Sequence, residues 1–99
     1  VRRGEMWRYS AKGPRGERLV LLVSSDGIND DPRRNWLLAV ELAENDPRDL
    51  LAVPVPGRRW ADASTVVRVY RRWLIEPVKV LDAETMDRVD AALRAALDL

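Results

Sequence analysis

The side chains able to do chemistry in this chain are arginines, carboxylates, hydroxyls and indoles, because its 99 residues contain neither histidine nor cysteine. That absence removes thiol nucleophiles, disulfides, Cys/His zinc sites and histidine acid–base catalysis together, and leaves a carboxylate-only site as the metal chemistry still open. The cationic residues are segregated. Residues 1–18 carry six against two acids and residues 58–72 five against one, whereas 19–57 carry three against seven and 73–99 three against six, which returns the net charge to +1. Folding that unites the two basic segments would make a face for an anionic ligand; arginines scattered in solvent are the alternative. Arg33-Arg34 and Arg58-Arg59 fall in loop-like surroundings that suit either phosphate contact or plain solvation. Trp36 and Trp60 could stack on unpaired bases, while core or interface packing is the simpler reading of Trp7, Trp36 and Trp73. Ser24, Ser25, Asp26 and Asn29 could hydrogen-bond bases, with a serine and Asx turn as the alternative, favoured for Ser25 and Asp26.

These groups need a scaffold, and the length sets it at one domain, residues 1–99. A composition 46% hydrophobic and 33% charged is that of a soluble globular protein and not of a disordered tail. No apolar run approaches the roughly 20 residues that span a bilayer, and Val1-Arg2-Arg3-Gly4-Glu5 opens no signal region, so a cytoplasmic protein without membrane attachment is expected.

Gly4–Ser10 reads as a first strand closing in the turn-forming stretch Lys12-Gly13-Pro14-Arg15-Gly16. Arg18–Ser25 holds the continuous apolar run Leu19-Val20-Leu21-Leu22-Val23, the pattern of a buried central strand, ended by Asp26-Gly27. Asn35–Leu42 and Leu50–Val55 predict two more strands, the latter at a sheet edge because Pro54 and Pro56 donate nothing to a ladder. Val66–Val69 predicts another, and Trp73-Leu74-Ile75 a short strand or a turn of helix. Asp82 as N-cap, with Met86, Val89, Leu93 and Leu97 on one face, predicts a helix from about Ala83 to Leu97. Strands followed by one helix indicate an α+β, mostly β fold with a curved, partly closed sheet.

Three stretches together resemble one family. Arg3-Gly4-Glu5-Met6-Trp7 is similar to the RRGEVW opening of MazF/PemK toxins, and Arg18–Asn29 (RLVLLVSSDGIN) to their RPVLVVSND...N segment. Leu81–Asp90 with Ala92-Leu93 is similar to their last helix. The resemblance implies an SH3-like barrel with a C-terminal helix, a homodimer, a toxin held by a cognate antitoxin, and cleavage of single-stranded RNA with no metal or other cofactor.

The resemblance also implies site residues. Arg18 matches the arginine at the start of the family's second strand, and a guanidinium suits that place because it stays charged and offers five donors to a phosphorane-like transition state. A structural ion pair is the alternative role. The family's second catalytic group is a threonine at the end of the third strand, and an ungapped count from Asn29 puts Glu41 there. Glu41 then either acts as general base on a ribose 2′-hydroxyl or only pairs with Arg18. The expected site is Arg18 and Glu41 for catalysis, with Ser24, Asn29, Arg33 and Arg34 for RNA. The loop before Arg18 is shorter than in the family, lacks its GSEQ stretch, and is followed by Leu19 where proline is usual. Two rival functions are a catalytically silent module that binds antitoxin or RNA, and a gyrase poison like CcdB. The latter requires a Trp-Gly-Ile ending, and this chain ends Ala96-Leu97-Asp98-Leu99.

Overall fold

The run Leu19–Leu22 forms the middle of a strand because its side chains meet apolar partners on both faces of a sheet. In the computed structural model, which describes residues 1–11 and 16–99, β2 spans Glu17–Leu22. It lies between β1, Glu5–Ser10, and β3, Trp36–Ala43. β4, Ala52–Val55, β5, Arg59–Tyr70, and β6, Leu74–Val80, complete a six-stranded sheet in the order β4-β5-β3-β2-β1-β6. Every pairing is antiparallel. The sheet curls into a half-barrel, as the expected partly closed architecture requires. The turn expected at Lys12–Gly16 lies, Gly16 apart, outside the described residues.

Alternation along the strands divides the core in two. Met6, Leu21, Val40 and Leu42 pack with Val89 and Ala92 of helix α2, Ala83–Leu97. Tyr9, Val20, Leu22, Leu37, Ala39 and Val69 fill the opposite side. The helix starts where its sequence predicts: Asp82 accepts from the Thr85 amide at 3.1 Å and from its hydroxyl at 2.6 Å. It ends at Asp98, which takes a left-handed conformation.

The edges depart from the sequence reading. β4 begins at Ala52, leaving Leu50 fully exposed, and Pro54 does sit on an outer strand. β5 runs far beyond Val66–Val69, because its first half pairs with both β3 and β4. Trp73-Leu74-Ile75 divides into a 3₁₀ turn, Arg71–Trp73, and the start of β6. β6 extends well beyond Ile75, which local pattern does not show because the strand is an exposed edge with no buried alternation and holds Pro77.

The three family-like stretches meet at one junction. Gly4, at φ +91°, donates to the Leu22 carbonyl, and its own carbonyl accepts from Leu81. Arg3 pairs with Asp90 of α2, donates through Nε to the Val23 carbonyl at 3.0 Å, and offers its amide to Asp26 at 2.8 Å. A side chain at Gly4 would require a conformation that L-residues rarely adopt.

Candidate functional site

Arg18 stands opposite Tyr9 of β1, and Val20 stands opposite Glu41 of β3. Side chains two apart on a strand share a face, so Arg18 and Glu41 are diagonal neighbours on the face of the sheet opposite α2. The Arg18 Nη1 donates to Glu41 Oε1 at 2.5 Å, with the two side chains 56% and 38% exposed. A cation and a carboxylate thus meet within reach of solvent, where an incoming phosphate can compete for the guanidinium.

A distortion of the sheet occurs at Glu41 that the sequence does not reveal. Val40 pairs with Val66 and Leu42 with Ala61, so Glu41 alone on β3 faces Asp62 to Thr65 on β5. The Glu41 amide donates to Thr65 Oγ1 at 3.4 Å, and that hydroxyl donates to the Asp62 carbonyl at 2.8 Å. Ser64 closes the same turn through its amide and hydroxyl to Asp62. A threonine hydroxyl therefore lies beside Glu41, supplied by the neighbouring strand.

Beside Arg18 opens a hollow of about 190 Å³ whose walls include Tyr9, Val67, Tyr70 and Trp73. Trp73 meets both tyrosine rings edge-on, at 6.5 Å and 5.0 Å. The Tyr9 hydroxyl accepts from the Tyr70 amide at 3.1 Å, fixing that wall. Trp73 thus packs as expected but also borders the site. The pairing of β1 with β6, which sets Leu74 opposite Tyr9, helps to bring it there.

The remaining expected residues separate. Ser24 and Asn29 are buried and bonded to each other: the Ser24 hydroxyl donates to Asn29 Oδ1 at 2.6 Å, and the Asn29 amide donates back to the Ser24 carbonyl at 3.0 Å. Both thereby shape the turn into the short helix α1, Asp26–Asn29, whose N-cap is Ser25. Asp26 belongs to the same turn. The Arg3 amide and then the Asn29 side chain hold its carboxyl below the usual range. Arg33 is tied to Asp31 at 3.3 Å, whereas Arg34 lies over the Trp36 ring. Arg59 pairs with Glu44 at 3.5 Å, Arg58 lies at φ +58°, and Trp60 is half-buried on β5. Among the described residues no cluster of three or more acidic side chains suits a metal ion, and no helix is long and apolar enough to cross a membrane.

The six-stranded curled sheet with a C-terminal helix packed on it defines a mostly β, half-barrel fold class. Residues 2–97 match the model of the PemK-like, MazF-like toxins of type II toxin-antitoxin systems, and the chain belongs to that family. No curated protein matches it. Among solved structures, it resembles an endoribonuclease in complex with its cognate antitoxin from Mycobacterial species. The TM-score is 0.87 at 20% identity, covering 100% of this chain and 96% of the other. A second endoribonuclease from Mycobacterial species gives 0.84 at 19% identity, covering 100% and 92%. A MazE-MazF crystal structure from Deinococcus radiodurans gives 0.82 at 17%, covering 100% and 96%.

Proposed function

We propose that this toxin is a metal-independent endoribonuclease of single-stranded RNA in the cytoplasm, acting as a homodimer and neutralised by a cognate antitoxin. The observation that carries the reading is the exposed contact between Arg18 and Glu41 on adjacent strands. Family membership and neighbours described as endoribonucleases, one with its antitoxin, support it.

In this mechanism the scissile phosphate draws Arg18 from Glu41, and the freed carboxylate takes the proton of the adjacent ribose 2′-hydroxyl. The 2′-oxygen attacks phosphorus, the bond to the 5′-oxygen breaks, and that oxygen leaves with a proton from water. The products are a 2′,3′-cyclic phosphate and a 5′-hydroxyl end. Arg18 stabilises the extra negative charge on the phosphorane oxygens. Arg33 and Arg34 contribute contacts to flanking phosphates. Dimerisation has a suitable surface where Val66, Leu97 and Leu99 are exposed beside a groove floored by Leu38 and Leu93.

The test is incubation of the purified chain with a long single-stranded RNA in EDTA, beside Arg18→Ala and Glu41→Gln. Cleavage at discrete sites, lost in both variants, is the expected result. A folded, antitoxin-free wild type that leaves the RNA intact would instead identify a silent binding module.

A further inference from the structure

Where β3 begins and β5 ends, guanidiniums gather on aromatic rings. Arg34 and Arg68 lie over the Trp36 indole at 4.9 Å and 4.6 Å from its centroid, and Arg72 lies 4.8 Å from that of Trp73. Trp36 pairs with Tyr70 and Leu38 with Arg68 in the β3–β5 ladder, so the sheet itself carries this stack. Among the described residues, Arg34, Arg68 and Arg72 have no carboxylate within ion-pair distance, unlike Arg3, Arg8, Arg18, Arg59 and Arg88. Arg71, next to them, donates to three neutral carbonyls and has no carboxylate within ion-pair distance. The acid among them, Asp31, is bound to Arg33 and is also within electrostatic reach of Arg34 and Arg71, one carboxylate shared by several cations.

The Arg72–Trp73 pair adjoins the site directly, whereas alternation along β3 and β5 sets Trp36 and the Arg68 side chain on the α2 face, so the stack reaches the site around the ends of these strands. Arg68 and Tyr70 line the hollow that Arg18 borders. Tyr70 also lines the next depression, about 350 Å³, with Asn35, Arg71 and Arg72. A guanidinium resting on an indole is held in place while its edge N–H groups stay free for phosphate oxygens, so little conformational freedom is lost on binding.

We propose that the Arg34–Trp36–Arg68 stack and the Arg72–Trp73 pair form the track for the part of a single-stranded nucleic acid beyond the phosphate held by Arg18. The proposal rests on the ribonuclease reading of that phosphate site. An excess of guanidiniums that leads around the strand ends to an aromatic-walled hollow matches alternating phosphates and bases; an acidic peptide would use the charge and leave the hollow without purpose.

The probe is a fully 2′-O-methylated single-stranded oligonucleotide, which lacks the attacking hydroxyl and reports binding without cleavage. Its Kd is measured across a salt series for wild type, for the triple variant Arg34→Gln/Arg68→Gln/Arg72→Gln, and for Trp36→Leu, with melting curves confirming folding. Each phosphate that goes unneutralised lowers the slope of log K against log salt by about 0.7, so the triple variant falls by about 2 in slope and about 100-fold in affinity at about 0.1 M salt. Trp36→Leu removes a platform but no charge, so it keeps the slope and weakens binding roughly three- to ten-fold at every salt. A triple variant that is folded and binds with the wild-type slope overturns the track, and RNA cleavage by the wild type would then leave the Arg18 reading standing. No binding of the probe by wild type overturns both. Binding of a polyglutamate peptide that the triple variant loses, with the oligonucleotide slope unchanged, assigns the surface to a protein partner and also overturns the proposal.

Discussion

Replacing Arg71 by methionine should destabilise the protein sharply, although Arg71 makes no salt bridge within 4.0 Å among the described residues. Its guanidinium donates to the Arg34, Asn29 and Asp31 carbonyls at 3.1, 3.0 and 3.2 Å. One side chain on the 3₁₀ turn therefore binds the end of α1 and the whole entry to β3. A hydrogen bond contributes a net ~0.5–1.5 kcal/mol, and the freed carbonyls of this half-buried loop can rehydrate, so the low half of that range applies and the total is about 2 kcal/mol. For a domain of this size that corresponds to a fall in Tm of about 8–15 °C. Arg71→Lys separates geometry from charge: an ammonium can donate at one point but cannot span three carbonyls, so it should recover about one third of the loss. Thermal melts followed by circular dichroism, checked by urea titration, provide the measurement. A lysine variant as stable as wild type, or a methionine variant within about 0.5 kcal/mol of it, would refute the clamp and with it the support assigned to Arg34.

Three other outcomes are expected. Arg18→Ala and Glu41→Gln should each change stability by less than about 1 kcal/mol, because the pair is solvated, yet reduce RNA cleavage by about 100-fold or more; a loss of stability large enough to account for the lost cleavage would make the pair structural. Leu21→Ala, at a side chain with 0% exposure between the strands and α2, should cost about 2–5 kcal/mol in urea unfolding. Asp26, whose carboxyl is held low chiefly by the Arg3 amide, contributes stability that is full above the ordinary aspartate value of about 3.9 and is lost as pH falls through its lower folded value. Asp26→Asn should therefore flatten the acid limb of the Tm–pH curve, and an unchanged limb would place the acid sensitivity elsewhere.

Local pattern was enough to establish the α+β class, the buried second strand, the third strand, the edge position of Pro54 and both ends of the helix. Each rests on residues a few positions apart: an unbroken apolar run, a proline, a cap and a stripe at helical spacing. The family-like stretches were legible for the same reason, and so was Arg18 as the candidate. What the stretches do physically was not, because Arg3, Asp26 and Asp90 meet only when the amino terminus, α1 and α2 are docked.

Tertiary structure decided what else surrounds Arg18. The resemblance pointed to Glu41, strand register set it diagonal to Arg18, and a bulge on β5 put Thr65 beside Glu41. The pairing of β6 with β1 helped to bring Trp73 to the hollow. Burial turned Ser24 and Asn29 toward each other, and the β3–β5 ladder brought Arg68 onto Trp36, far from it in the chain, where Arg34 also rests. The reason is common to all of these. Side-chain period and capping are encoded within one turn or one strand, whereas register, bulges and the convergence of separate strands depend on packing between residues distant in the chain.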